Sequence, residues 1–245
     1  VVVDSIFVEV RPADVLRFTA FPSYTAVCPG DEVQLGLDVV RVDVRDDMDG
    51  PLGSLWQNVQ GGAFNTDCGS MSGNALHFNG SVVRWAETVD MDVGQGGVLR
   101  FALVFGSGAA PCEDADIGDD VLLEYSTDGG VGWTPMSTYY EWAYPVWTVV
   151  EVDIPPPAQS TSTRFRWRQL GTFAVGTDNW ALDDVVVGVN ADGGMSYTWS
   201  PQNGLDDPFS SSPVLVVNGS GWYRVEAVDS LTQCVYTDSV WIEAP

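Results

Sequence analysis

The sequence contains no lysine. All ten of its basic residues are arginine, set against 34 acids among 245 residues, for a formal charge of −24. Without lysine there is no Schiff base, no pyridoxal phosphate anchor and no phosphate-cradling P-loop lysine. A charge of that sign repels nucleic acid and anionic membranes, so neither is an expected partner. Histidine is almost as scarce, and with His77 alone a Ser-His-Asp triad or a histidine-rich metal site could be built only around that residue. The four cysteines form no C-x-x-C pair, which disfavours zinc and favours two disulfides in an oxidising compartment. No apolar run reaches the roughly 18 residues of a membrane span. The first residues, VVVDSIFVEV, have neither the basic region nor the long apolar core of a secretory signal. The chain is therefore expected to begin inside something larger, or after processing, and to belong outside the cell, secreted or on its surface.

What is abundant is aspartate, 25 residues against nine glutamates. A hydrophobic content of 45% with ten tryptophans excludes a disordered acidic tail, so the acids decorate a folded core. Two readings of the excess are compatible: solvation of a surface in salty water, and ligation of a hard cation such as calcium through carboxylate oxygens. At about 150 residues per domain the length suggests two modules.

Helical periodicity is almost nowhere to be found. Runs such as DSIFVEV, VLRFALVF, DVLLEYS, TVVEVDI, TRFRWRQL and WYRVEAV alternate apolar and polar residues at period two, the pattern of half-buried strands. Between them lie Gly, Asp, Asn and Pro clusters (DDMDG, STDGG, IPPP, NADGG, SPQNG) that supply turns. The fold expected is all-β, built as two β-sandwiches. The ends also match: Asp4-Ser5-Ile6-Phe7-Val8-Glu9-Val10 aligns with Asp238-Ser239-Val240-Trp241-Ile242-Glu243-Ala244. Residues 1–12 therefore read as the last strand of a preceding repeat or as a donor strand, with chance similarity of two short strands as the alternative.

The segment from Asp46 to Val187 carries R-DDMDG…LWQNVQGGAFNTDCGSMSGNALHFNG, then GGVLRFALVFGSGAAPCEDADIGDDVLLEYSTDGGVGW, VEVDIPPPAQSTSTRFRWRQLG and DNWALDDVVV. It resembles a reelin-type subrepeat, a jelly-roll β-sandwich of extracellular proteins. The resemblance implies a Cys68–Cys112 disulfide and a calcium site built from acids near the module's first and last strands, matched here by Asp46, Asp47 and Asp49 on one side and Asp183 and Asp184 on the other. The flanks, VCPGDEVQLGL and YTWSPQNGLDDPFSSSPVLVVNGSGWYRVEAVDSLTQCVYTDSVWI, are similar to the two parts of PKD-like, Ig-like domains of secreted Bacteroidota surface proteins. That resemblance implies a second disulfide, Cys28–Cys234. The organisation expected is a PKD-like/Ig-like sandwich split between residues 13–41 and 192–245, with a reelin-like jelly roll, 42–191, inserted in a loop, as surface loops allow. The alternative is a tandem string, which leaves residues 13–41 as a fragment without a sheet.

Acids from Asp46-Asp47-x-Asp49 and Asp183-Asp184 can share one ion where first and last strands lie side by side, since calcium needs only two or three carboxylates plus carbonyl oxygens. Solvated turns are the plainer reading. A second cluster, Glu113-Asp114-x-Asp116-x-x-Asp119-Asp120, lacks EF-hand spacing and reads as a solvated loop. Tyr139, Tyr140, Trp142, Tyr144 and Trp147 are candidates for a glycan-stacking platform or a protein interface, against inward packing of one face of a strand. His77 reads as a surface strand residue, opposite Leu76 and Phe78. Arg164, Arg166 and Arg168 share one strand face and suit salt bridges to acids.

The function expected from these features is that of a non-enzymatic extracellular adhesive repeat in a bacterial surface adhesin, stalk or filament, stabilised by calcium and disulfides. Its partners would be neighbouring repeats or identical subunits, head to tail. The alternative is a carbohydrate-binding module that holds surface glycans on its aromatic platform.

Overall fold

The structure, a computed structural model, describes residues 15–24, 32–80, 83–171, 174–190, 195–201, 211–230 and 233–243. The terminal strand expected over residues 1–12, and Cys28 with its pairing to Cys234, lie outside the described residues. The strands are β1 (Val15–Pro22), β2 (Val33–Asp46), β3 (Trp56–Gln60), β4 (Gly62–Asn65), β5 (Ala75–Phe78), β6 (Trp85–Thr88), β7 (Gly97–Phe105) and β8 (Val121–Ser126). They continue with β9 (Thr134–Tyr139), β10 (Thr148–Asp153), β11 (Arg164–Gln169), β12 (Trp180–Asn190), β13 (Met195–Pro201), β14 (Leu215–Val217), β15 (Gly221–Asp229) and β16 (Val235–Ile242). Helix among the described residues is confined to two short 3-10 turns, Glu141–Ala143 and Pro156–Ala158, so the protein is all-β. Contacts divide it into two compact units: residues 42–189, and the described residues up to Arg41 together with those from Asn190 onward.

The unit 42–189 is a sandwich of two antiparallel sheets. One has the order β3-β6-β11-β8-β9. In the other, β4 pairs β5, β5 pairs β12, β12 pairs β7 and β7 pairs β10. As the central strand of its sheet β12 is buried on both faces, which is why its sequence WALDDVVVGV is a near-continuous apolar run rather than an alternation. By contrast β11 alternates strictly, with Phe165, Trp167 and Gln169 inward. Between the sheets Phe101 meets Tyr139 and Trp167 edge-on, at centroid distances of 5.5 and 5.2 Å, and within one sheet Phe78 stacks on its cross-strand partner Trp180 at 4.0 Å. Burying each such ring contributes about 1.5–3 kcal/mol from area alone, and edge-to-face geometry adds to it.

On the outer face of the β3-β6-β11-β8-β9 sheet the three arginines of β11 are ion-paired, as their alternation leads one to expect. Arg164 holds Asp90 and Glu87 at 2.8 and 3.0 Å, while Arg166 and Arg168 converge on Glu124 at 2.7 and 3.0 Å. Arg166 also lies 4.0 Å over the Trp133 ring.

The other unit has β1 and β14 paired with β2, and a sheet of order β13-β15-β16. Its core gathers Val33, Leu35, Val217, Tyr223, Val225, Val240 and Ile242 around the fully buried Trp199. The perfect alternation of β15, GWYRVEAVD, puts Tyr223, Val225 and Ala227 inward. Arg41 pairs with the buried Asp229 at 2.6 Å.

Candidate functional site

The five acids expected to hold calcium do not act alike. Asp183, in β12, is fully buried; one of its oxygens accepts the N–H of Met71 at 2.6 Å and the other that of Asp184 at 2.8 Å. Burial raises its pKa, against the pull of those backbone donors. Asp49, in the loop after β2, accepts the N–H of Asn74 at 2.7 Å, and its carbonyl accepts the Asn74 amide at 3.1 Å. Asp49 and Asp183 therefore grip the same segment, Met71–Asn74, from two sides. Gly73 has φ +51° there, and a Cβ on it would collide with the Asp49 carboxylate, so the turn requires glycine. Asp46 is engaged elsewhere: it accepts Met48 N–H at 2.9 Å and the Trp56 indole at 3.0 Å. Asp47 accepts Asp49 N–H at 3.4 Å, and Asp184 pairs with Arg45 at 3.1 Å. Only Asp49 and Asp183 converge.

The acids that do crowd together are others. The loop after Cys112, expected to be merely solvated, folds back so that Asp116, Asp119 and Asp178 bring carboxylate oxygens within 4.8 Å of one another. Asp178 N–H donates to Glu113 at 2.6 Å and its carboxylate accepts Asp116 N–H at 3.3 Å. Burial and the neighbouring Asp178 push Asp119 up to about 6. Beneath the cluster lies Arg84, fully buried, with its guanidinium on the carbonyls of Gly80, Ala174 and Asp178 and on Gln169. Sequence reasoning missed Asp178 because it lies 62 residues from Asp116; the Thr177-Asp178-Asn179 turn before the last strand was the available signal.

The aromatic run is split by its backbone. Tyr139 ends β9 pointing inward and is only 4% exposed, so its place in an outer platform is corrected. Trp147 is half-buried and donates its indole N–H to the Cys68 carbonyl at 3.2 Å, and half-buried Tyr144 packs edge-on against Tyr139. The 3-10 turn Glu141–Ala143 breaks the strand alternation and leaves two rings outside. Tyr140 and Trp142 are 49% and 73% exposed and nearly parallel, 16° apart with centroids at 6.0 Å. Beside them Glu141 N–H donates to Asp120 at 3.3 Å. The hydrogen bond between the two acids raises the pKa of Glu141.

His77 is not a surface residue. Strand β5 is buried at every position, because Leu76 and Phe78 face the main core while the opposite face is covered by Cys68 and Trp147 in a second cluster with Ala75, Val104 and Ala181. The disulfide implied by the reelin resemblance joins Cys68 to Cys112 over this face.

With this geometry in place, comparison with known proteins finds that the reelin subrepeat B family model matches residues 61–188. Among solved structures, the K1 cleaved adhesin domain of Lys-gingipain from Porphyromonas gingivalis W83 is similar at 16% identity and TM-score 0.45, covering 60% of this chain and 98% of that one. The C-terminal family 22 carbohydrate-binding module of Clostridium thermocellum Xyn10B is similar at 13% identity and TM-score 0.43, covering 62% and 94%. No site residue is carried across at these figures. Among the described residues no helix is long and apolar enough to cross a membrane.

Proposed function

This chain belongs to the reelin subrepeat B family, and from that premise we propose that it serves outside the cell as a non-enzymatic adhesive repeat unit of a bacterial surface protein. The observation that carries the reading is the exposed Tyr140–Trp142 pair, displayed on a disulfide-tied sandwich whose other described large rings are buried or half-buried. Two solvated rings held nearly parallel cost hydrophobic free energy unless a partner covers them. The same pair favours a second reading, a carbohydrate-binding module, because parallel rings suit the flat faces of pyranose sugars. Glycan-array binding of the intact chain decides between them. Loss of a glycan signal in Tyr140→Ala and Trp142→Ala, with melting unchanged, supports sugar recognition, whereas a blank array with retained cell adhesion supports a protein partner.

In this proposal calcium stabilises the unit, bound by acids drawn from Asp46, Asp47, Asp49, Asp183 and Asp184. What supports this reading is that two of the five acids, Asp49 and Asp183, hold one turn, Met71–Asn74, between them. The ion would supply charge compensation and pin the β2 and β12 ends of the module together. The flanking unit is proposed to be a PKD-like/Ig-like sandwich interrupted by the jelly roll, with Cys28–Cys234 as its disulfide. Head-to-tail contact through residues 1–12 would make an open array with heterologous contacts. Deleting residues 1–10 should abolish extended assembly in analytical ultracentrifugation, and unchanged assembly would refute that part.

A further inference from the structure

One ring nitrogen of the fully buried His77 and the sulfurs of Cys68 and Cys112 all lie within 4.8 Å of one another. We propose that these residues form a metal site masked by the disulfide: reduction of Cys68–Cys112 opens a two-thiolate, one-imidazole set for a borderline-soft divalent cation, Zn2+ first.

The three ligands come from separate, well-anchored pieces of the fold: Cys68 in the turn after β4, His77 in β5, which pairs with β4, and Cys112 in the loop between β7 and β8. Zinc takes thiolates at about 2.3 Å and imidazoles at about 2.0–2.1 Å, so tetrahedral ligand atoms stand roughly 3.5–4 Å apart. The ring nitrogen lies within 4.8 Å of both sulfurs, and the sulfurs are free to move apart once the bond between them is broken.

Both ring nitrogens face acceptor oxygens, while burial disfavours a charged ring. The Asn179 amide nitrogen is spent on the carbonyls of Glu113 and Gly176, so its oxygen is what faces His77 Nε2, at 3.0 Å. Nε2 is therefore the protonated nitrogen. The Asn65 oxygen accepts the N–H of Asp67 at 2.9 Å and faces His77 Nδ1 at 3.1 Å, with an Asp67 carboxylate oxygen at 3.8 Å. A bare Nδ1 lone pair aimed at an amide oxygen and a carboxylate is repulsive, and only a proton or a metal relieves it. Burial opposes the proton. While the sulfurs are bonded to each other the proton is the only cation the ring can take. Once they are thiolates a metal can replace it, with the Nε2–H···Asn179 bond as the outer contact that orients a ligating imidazole.

The chemistry balances with a phosphine as reductant. The phosphine attacks one sulfur, the S–S bond breaks, and water supplies the oxygen of the phosphine oxide and the two thiol protons. Zinc then displaces both thiol protons as its two Zn–S bonds form.

The test uses the full chain carrying Cys28→Ser and Cys234→Ser, so that Cys68 and Cys112 are the remaining cysteines. Phosphine-reduced and oxidised samples are given Zn2+ or Co2+, desalted and assayed for metal and for thiolate-to-cobalt charge-transfer absorption. The expected result is one metal per chain in the reduced protein, none in the oxidised one, and a further loss on Cys68→Ser. His77→Gln removes a ligand and should weaken binding by more than the roughly 10–100-fold that disturbing an outer-shell partner costs. Nitrogen-15 NMR of His77 in the unaltered ring reads the same point without that variant, because metal loading must shift Nδ1 and leave the Nε2 proton in place. A reduced protein that retains no metal, equal binding by the oxidised form, equal affinity in His77→Gln, or an unmoved Nδ1 resonance would overturn the proposal.

Discussion

Asp183, buried in β12, accepts the backbone N–H of Met71 at 2.6 Å across 112 residues of sequence. Its other oxygen is occupied by Asp184 N–H, so Asp183→Asn must turn an NH2 group against one of two N–H donors. The expected cost is about 1–3 kcal/mol at neutral pH, read by urea unfolding. Burial raises the folded pKa, so the stability linked to its proton is complete below the unfolded value and declines as pH rises through the folded one. Wild-type melting in a calcium chelator should therefore fall more steeply over that interval than that of Asp183→Asn, which keeps the other titrating acids. Parallel profiles would remove Asp183 from the titration. Restoring calcium should raise the wild-type melting temperature alone.

Glu124 is the shared partner of Arg166 and Arg168. Burial alone would raise its pKa, but the two guanidiniums prevail and hold it below the ordinary value. Removing one side of a buried charge network leaves the other uncompensated, although Arg168 at 31% exposure recovers some hydration. Glu124→Gln should cost about 2–3 kcal/mol at neutral pH. Because the folded pKa is depressed, the wild-type advantage is present above the unfolded value and is lost as pH falls through the folded one. Chemical denaturation at neutral pH and in acid checks both statements, and an equal deficit at both would exclude the charge as the cause.

Asp119 gives the opposite sign. Its folded pKa of about 6, raised by burial and by Asp178, means that a stabilising proton is in place below the unfolded value near 4. That proton leaves as pH rises through 6. Asp119→Asn should match the wild type in acid and melt higher at pH 7.5. If the variant melts lower at pH 7.5, the carboxylate is stabilised there by something other than its acidic neighbours, and added calcium is the first agent to test.

The Cys68–Cys112 bond closes a loop with a sequence separation of 44. Cross-linking of that span restricts the unfolded chain, and replacing both cysteines by alanine should cost about 2–4 kcal/mol. Thermal unfolding of the double variant against the oxidised wild type gives the number. A loss confined to the cover of β5, seen as fast amide exchange at His77 with unchanged global stability, would show instead that the bond acts locally.

Much of the sandwich was legible in the chain because strand faces repeat every two residues and the pattern is local. The β11 alternation identified both the inward Phe165 and Trp167 and the outward arginines, and the acids to pair them were plentiful. The same local rule failed at His77. Alternation placed it opposite Leu76 and Phe78, correctly, but that opposite face is covered by Cys68, Cys112 and Trp147, which the chain delivers from other loops. It failed again at Tyr139 to Trp147, where a single 3-10 turn reset the direction of each ring.

By itself, then, the sequence determined the all-β architecture, the chemistries that a chain without lysine and with one histidine cannot perform, and which side chains share a strand face. Each follows from residue identity or from the two-residue pleat. Only the tertiary structure decided that Asp178 joins Asp116 and Asp119, that Asp49 and Asp183 hold one turn, and that His77 meets two sulfurs. Those meetings depend on which strands pair and which loops fold over them. That is settled by burying apolar area across the whole sandwich, not by any stretch of chain short enough to carry a motif.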